Sequence, residues 1–266
     1  MPKNLLTLGA GIESIENYLM LKKFDCNIIA VDKNPNAPGL KYADHFVKAS
    51  IHNYSEILRN VKKIKTKIDG VLPFGDISYI ATRLCKNFKI NSIPLKSAKI
   101  TSDKLLFKKE LKNYFNIPFF KKIKNFSELN HLVKSKRKTF IIKPVDNSGA
   151  RGVILLNDKT NLRWAFNYCI KYSKKKHLIA EEYIEGPQLS TEGIVHNGKY
   201  IHLCSFDRNY EFIKKYSPFV IENGGSTPSK IGDKYNFEIN KILSKVSKKL
   251  KLKNATLKGD LVINKN

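Results

Sequence analysis

Short apolar runs alternate with amphipathic stretches along the first third of the chain. The run NLLTLGAG at 4–11 precedes a stretch with apolar residues at Ile12, Ile15, Leu19 and Leu21, with Phe24 beyond, and CNIIAVDKNP follows. The two flanking runs are short and bounded by turn residues, as buried parallel strands are, while the middle piece keeps roughly one helical face apolar. GVLPFGD at 70–76 predicts a further strand, and 77–88 a further helix. This strand–helix–strand alternation predicts a doubly wound parallel sheet up to about residue 95.

The pattern then changes. SDKLLFKKELKNYF predicts a helix with Ser102 as its N-cap and a stop at Asn116–Pro118. Further on come a helix at FSELNHLVKS, a strand at TFIIKPV, a glycine loop and a strand at GVILLN. A helix at TNLRWAFNYCIKYS and a strand at HLIAEEYIEG follow. STEGIVHNGKYIHLCSF predicts a hairpin turning at HNGK, because Asn-Gly suits the positive dihedrals of a tight turn. A helix at NFEINKILSKVSKKLKLK and a strand at ATLKGDLVIN complete the reading, with no internal repeat and no low-complexity linker. The expected fold class is therefore mixed, α/β at the start and α+β after it.

Composition narrows the class. The 266 residues are 42% hydrophobic and 27% charged, as in a globular protein large enough for two or three compact units. No run reaches the roughly 18 apolar residues of a membrane span. The N-terminus reads as a first strand and carries no signal-peptide pattern. Four scattered cysteines without a CxxC pair suit reduced thiols, a cytoplasmic setting and no zinc site. The formal charge of +26 raises the possibility of nucleic-acid binding. Only six of the 49 basic residues are arginine, however, and the lysines are spread along the chain without interleaved aromatics. A lysine-rich solvated surface is the better reading, and its field would still favour an anionic substrate.

Four stretches carry candidate chemistry. GAGIES after the first strand is a partial dinucleotide fingerprint, with Asp32 at the end of the second strand and Ser14 in place of the third glycine. A helix N-terminus that attracts an anionic group is favoured over NAD binding there. In FIIKPVDNSGARGV, Lys143 ends an apolar run. The loop Ser148, Gly149, Ala150, Arg151 and Gly152 can then turn backbone N–H groups toward phosphate oxygens. Lys104, just inside the preceding helix, would be a second cation. In IAEEYIEGPQLS, Glu181 and Glu182 lie beside Tyr183 and Ile184, a run that can pass along an adenine ring. In LKGDLVIN, Asp260 interrupts an apolar strand, where a carboxylate calls for a partner such as a metal ion.

Together TSDKLLFKKEL, FIIKPVDNSGARGV, IAEEYIEGPQLS and LKGDLVIN resemble, in order and spacing, the nucleotide motifs of the ATP-grasp superfamily. The opening LGAG…VDKNPNAPGLKYAD and VLPFGD are similar to the pre-ATP-grasp domain of its carbamoyl-phosphate-synthase-like branch. NGGSTPSK at 223–230 is similar to a loop near the reacting substrate in that branch. The resemblance covers essentially the whole chain. It implies an ATP-grasp fold with a Rossmann-like domain at 1–95, a helical linker at 96–122, a lid subdomain at 123–183 and an incomplete antiparallel C-terminal subdomain at 184–266.

The resemblance also implies roles. Lys104 and Lys143 would contact ATP phosphates, and Ser148–Gly152 would fold over them. Glu181 with the backbone of Glu182, Tyr183 and Ile184 would hold adenine. Gln188, where the family usually has Glu, would take the ribose hydroxyls. Asp260 would bind Mg2+, and Arg208 and Lys258 are candidates for stabilising an acyl phosphate. The family's further metal ligands belong to a strand after INKN, so a shortened chain or a weak enzyme is expected. The implied activity is ADP-forming carboxylate–amine or carboxylate–thiol ligation. The implied partners are small-molecule acids and amines, with a homodimer left open and no membrane or specific nucleic acid. The rivals are an ATP-binding module without catalysis, a nucleic-acid binder and an NAD enzyme.

Overall fold

The computed structural model describes residues 2–136 and 138–264. The chain divides into two compact units, Met1–Ser102 and Asp103–Asn266.

The first unit is built on β1 (Lys3–Leu8), α1 (Ile15–Lys23), β2 (Cys26–Asp32), β3 (His45–Lys48), α2 (Tyr54–Val61), β4 (Gly70–Pro73), α3 (Ser78–Asn87) and α4 (Leu95–Thr101). Its four strands are parallel in the order β3-β2-β1-β4. Alternation along each strand fills both faces. Leu6, Leu8, Ile29 and Val31 bury against Ile57 of α2 and Leu84 of α3. Ile28 and Ala30 pack on the other side with Tyr18 of α1. Apolar side chains on both faces are what a parallel sheet covered by helices requires.

Two sequence expectations need correction here. The face read over the first helix is buried only in part: Ile12 is 75% exposed and Leu19 and Phe24 are also exposed, while Leu21 packs on the cluster of the fully buried Tyr18. The chain enters through a 3-10 turn at Ile12–Ser14, so the α-helix starts at Ile15 and its phase is reset. The Tyr18 hydroxyl tolerates burial because it donates to the Gly9 carbonyl at 2.9 Å and lies 2.7 Å from Thr7 Oγ1. Nor is Ser102 an N-cap. It closes α4, its hydroxyl donating to the Ala98 carbonyl at 2.8 Å.

The second unit contains α5 (Lys104–Leu111), β5 (Phe120–Ile123), α6 (Phe126–Ser135), β6 (Phe140–Pro144), β7 (Ile154–Leu156), α7 (Leu162–Lys171) and β8 (Leu178–Glu182). It continues with β9 (Gln188–His196), β10 (Lys199–Arg208), β11 (Gly225–Ser226), α8 (Lys230–Lys234), α9 (Asn236–Lys249) and β12 (Ala255–Val262). Two antiparallel sheets result, β5-β8-β6-β7 and β11-β10-β9-β12. The first is closed by α6 and α7 over Leu129, Leu132, Phe140, Ile142, Ala165 and Leu178. The second forms the expected hairpin at Asn197–Gly198, with φ +51° and +80°, and carries α9 on one face through buried Ile239, Leu243 and Val246.

The span 209–224 leaves β10, reaches the β7 edge and returns to β11. There it forms an isolated bridge between Ile154 and Phe219, and Leu155 N–H donates to the Pro218 carbonyl at 2.9 Å. Phe219 meets Trp164 and Tyr168 of α7 edge-on, with ring centroids 5.8 Å apart in both pairs. One stretch of chain thus ties the two sheets of this unit together.

Candidate active site

The helix α5 owes its start to Asp103, whose Oδ1 accepts from Leu106 N–H at 2.9 Å while Oδ2 pairs with Lys175. Leu105 packs with Val145 and Ile179, and Lys104 N–H donates to the Val145 carbonyl at 2.9 Å. These contacts pin α5 against the ends of β6 and β8. Lys104 and Lys108, one turn apart, then share a helix face.

Strand alternation explains Lys143. Phe140, Ile142 and Pro144 are buried on one face of β6, so Ile141 and Lys143 turn to the other. Ile141 lies opposite Glu181 in β8, and Lys143 opposite Ile179, which puts Lys143 and Glu181 on one face as diagonal neighbours. The result is a three-residue charge cluster. Lys143 Nζ lies 3.1 Å from Glu181 Oε1, and Lys108 Nζ lies 3.2 Å from Oε2, with side-chain exposures of 21%, 18% and 8% for Lys143, Lys108 and Glu181. Burial pushes the Glu181 pKa up, but the two ammonium groups outweigh it and hold the carboxyl below its usual range. Burial pulls the Lys108 pKa down, only partly offset by Glu181.

The loop after β6 bends back through left-handed positions at Gly149, Ala150 and Gly152 (φ +63°, +54° and +74°). At Gly152 a side chain would also meet the Tyr172 ring and Pro144, at 2.9 and 3.0 Å. Asn147 anchors the loop to the Tyr172 carbonyl at 2.9 Å, and Arg151 Nε donates to the Ser148 carbonyl at 3.1 Å. Lys104 Nζ donates to the Asn147 carbonyl, so one predicted cation touches the base of the predicted loop.

A second cluster lies on the face of β9, β10 and β12 opposite α9. Register places Gln188 beside Arg208 and Val262, Ser190 beside Asp260, and Glu192 beside Lys258. Arg208 donates to Glu222 through Nε at 2.9 Å and Nη2 at 2.6 Å, and its Nη1 lies 3.2 Å from Asp260. Lys258 lies 3.5 Å from Asp260 and donates to Ser190. The Arg208 guanidinium holds the Glu222 carboxyl below its usual range. Burial, partly opposed by that same cation, pushes the Tyr210 phenol up to about 12. The NGGSTPSK loop runs along this edge: Gly225 and Ser226 pair with Arg208 and Asp207, and Ser229 donates to Asp207.

The structure therefore gathers Arg208, Lys258, Asp260 and Gln188 on one sheet face, and Lys143 with Glu181 on another. It does not surround Asp260 with carboxylates. Asp260 is half exposed between two cations, and no group of three His, Cys, Asp or Glu that could hold a metal occurs among the described residues. Glu182 pairs with Lys138 at 2.6 Å, and the N–H groups of Glu182 and Tyr183 donate to the Phe119 and Thr139 carbonyls. At GAGIES in the first unit, Ala10 N–H donates to Asp32 at 2.9 Å, so the Asp32 carboxylate ties the glycine turn to the end of β2. The Glu13 carboxylate lies over Gly11, where it would repel a phosphate.

The sequence profile of the ATP-grasp domain matches residues 101–266. The chain belongs to the ATP-grasp family. It is similar to a formate-dependent phosphoribosylglycinamide formyltransferase of Prochlorococcus marinus, 28% identical over 199 residues, which cover 69% of this chain and 48% of that protein. Two solved structures share the fold. The L-amino acid ligase from Bacillus licheniformis has a TM-score of 0.79 at 16% identity, covering 99% of this chain and 64% of that one. N5-carboxyaminoimidazole synthetase from Staphylococcus aureus, complexed with ADP, has a TM-score of 0.79 at 15% identity, covering 100% and 68%. The chain spans about half the length of the curated relatives it matches.

In this ATP-grasp chain, several polar residues at the two clusters escaped sequence reasoning: Lys108, Ser190, Glu192, Tyr210 and Glu222. Lys108 carried a usable signal, since it stands one helical turn after Lys104. Ser190 and Glu192 alternate on β9 with Gln188 and could have been placed once the hairpin register was known. Glu222 carried none, because its meeting with Arg208 depends on the return path of a long loop.

Proposed function

We propose that the second unit binds ATP and that the protein is an ADP-forming ATP-grasp ligase joining a carboxylate to an amine or thiol through an acyl phosphate. The observation that carries this reading is the charge cluster at Lys143, Lys108 and Glu181 beside the Ser148–Gly152 loop. Two ammonium groups share one carboxylate there, and the positive excess calls for an anion. Lys104 and Lys143 would contact the phosphates and the loop would close over them. Glu181 and the 182–184 backbone would line the purine. With the N–H groups of Glu182 and Tyr183 engaged in strand contacts, Ile184 N–H is the donor this segment offers. Gln188 would accept the ribose.

In the chemical step, a substrate carboxylate oxygen bonds to the γ-phosphorus as the bond to ADP breaks. The amine or thiol then attacks the acyl carbon, phosphate leaves with the bonding electrons, and the nucleophile loses a proton. The charge that develops is met by cations already in place, Lys104 and Lys143 at the phosphates, with Arg208 and Lys258 toward the acyl group. A second reading, an ATP-binding module without catalysis, is favoured by the pairing of Asp260 with two cations.

Titration with ATP and a screen of acid–amine pairs for ADP release test both readings. Lys143→Ala should weaken ATP binding about 10- to 100-fold, the worth of one charge-assisted contact, and abolish turnover. ATP binding without ADP release from any pair selects the second reading. No ATP binding by the unaltered protein overturns both.

A further inference from the structure

We propose that Lys108 is a positioning residue for the polyphosphate, acting by taking up half of the Glu181 carboxylate so that Lys143 keeps charge for the ligand. This rests on the ATP reading above. The two contacts are nearly equal, 3.1 Å from Lys143 to Oε1 and 3.2 Å from Lys108 to Oε2, and each oxygen serves one ammonium group. A lone Lys143–Glu181 pair would be neutral and would offer a phosphate nothing beyond its dipole. With Lys108 present, the cluster carries one net positive charge in a setting where none of the three side chains is more than 21% exposed. An unbalanced buried cation is costly, and an arriving anion relieves that cost.

The placement of Lys108 points the same way. It stands one turn beyond Lys104, whose ammonium touches the Asn147 carbonyl at the base of the loop. α5 is held by Leu105 against Val145 and Ile179, so Lys108 reaches Glu181 from a fixed base. Burial also pulls the Lys108 pKa down, as expected of a cation awaiting a counter-ion.

The test is calorimetric titration of the full chain with ATP and, separately, with adenosine. Lys108→Met should weaken ATP about tenfold or more while leaving adenosine within about twofold, since only the polyphosphate depends on the freed charge. Lys108→Arg should retain ATP binding. Adding Glu181→Gln to Lys108→Met should recover the preference for ATP over adenosine, because it removes the carboxylate that would otherwise neutralise Lys143.

Equal losses for ATP and adenosine, or unchanged ATP affinity in Lys108→Met, would overturn the inference while leaving ATP binding itself intact. Should Lys108→Met fail to fold, Glu181→Gln alone decides. The ratio of ATP to adenosine affinity, which cancels any purine contact of Glu181, is the readout: a ratio at least that of the unaltered chain supports the inference, and a tenfold lower ratio sinks it. If the unaltered chain binds no ATP, the site reading fails and the inference falls with it.

Discussion

A lysine after three apolar residues of TFII looked out of place in the sequence, and alternation accounts for it. Ile142 and Pro144 go inward and Lys143 goes to the other face. That much was legible, whereas the meeting of Arg208 with Lys258 and Asp260 was not, because β10 and β12 are neighbours only through β9. The true partner of Lys143 was not legible. Glu181 was read beside the purine, and no signal in the sequence showed that its carboxylate lies between two lysines brought from separate elements. Its lowered pKa makes a pH prediction. The stability it contributes is complete above the unfolded carboxylate value of about 4.3 and is lost as pH falls through the lower folded value. Thermal unfolding followed across acid pH should therefore show Glu181→Gln less pH-dependent than the unaltered chain. Parallel curves would mean that the cluster contributes nothing to acid sensitivity.

Among elements, a strong local pattern was not always enough. The strand at 70–73 and the helix at 78–87 were expected almost as found, whereas β3 and α2 were missed and α4 fell in a stretch expected only as a helical linker. β3 is a four-residue edge strand with one buried side chain, too little apolar periodicity to read. The boundary at Ser102 and Asp103 failed because both residues are good caps, and only tertiary structure decides between them. That decision has a consequence for the site, because α5 carries Lys104 and Lys108. Asp103→Ala should cost about 1–2 kcal/mol of stability through the lost cap, with the partly exposed Lys175 pair adding little. Asp103→Asn should recover most of it, since an amide oxygen can still accept from Leu106. Denaturant midpoints measure both, and an Asp103→Ala midpoint equal to that of the unaltered chain would show that the helix does not depend on this cap.

For the whole molecule, a net charge of +26 sets up a field that draws anions of any kind. Specific and diffuse attraction differ in their response to salt. ATP held by a few buried cations should lose affinity only modestly between low and physiological ionic strength. Binding of a nucleic-acid duplex through scattered surface lysines should fall steeply. Titrations at graded salt, with and without competing duplex, separate the two. A steep slope for ATP that duplex competes away would favour the nucleic-acid reading.

The span 209–224 gives this unit a mechanical property that neither sheet has alone. Its middle is fastened beside the hairpin that bears Ser148–Gly152, and its return limb delivers Glu222 to Arg208. An acid arriving at Arg208 would have to dislodge Glu222, and the tug would travel along the same tether to the far hairpin. Occupancy at either end would then be felt at the other, each ligand sharpening or blunting the grip on its counterpart by one and the same factor.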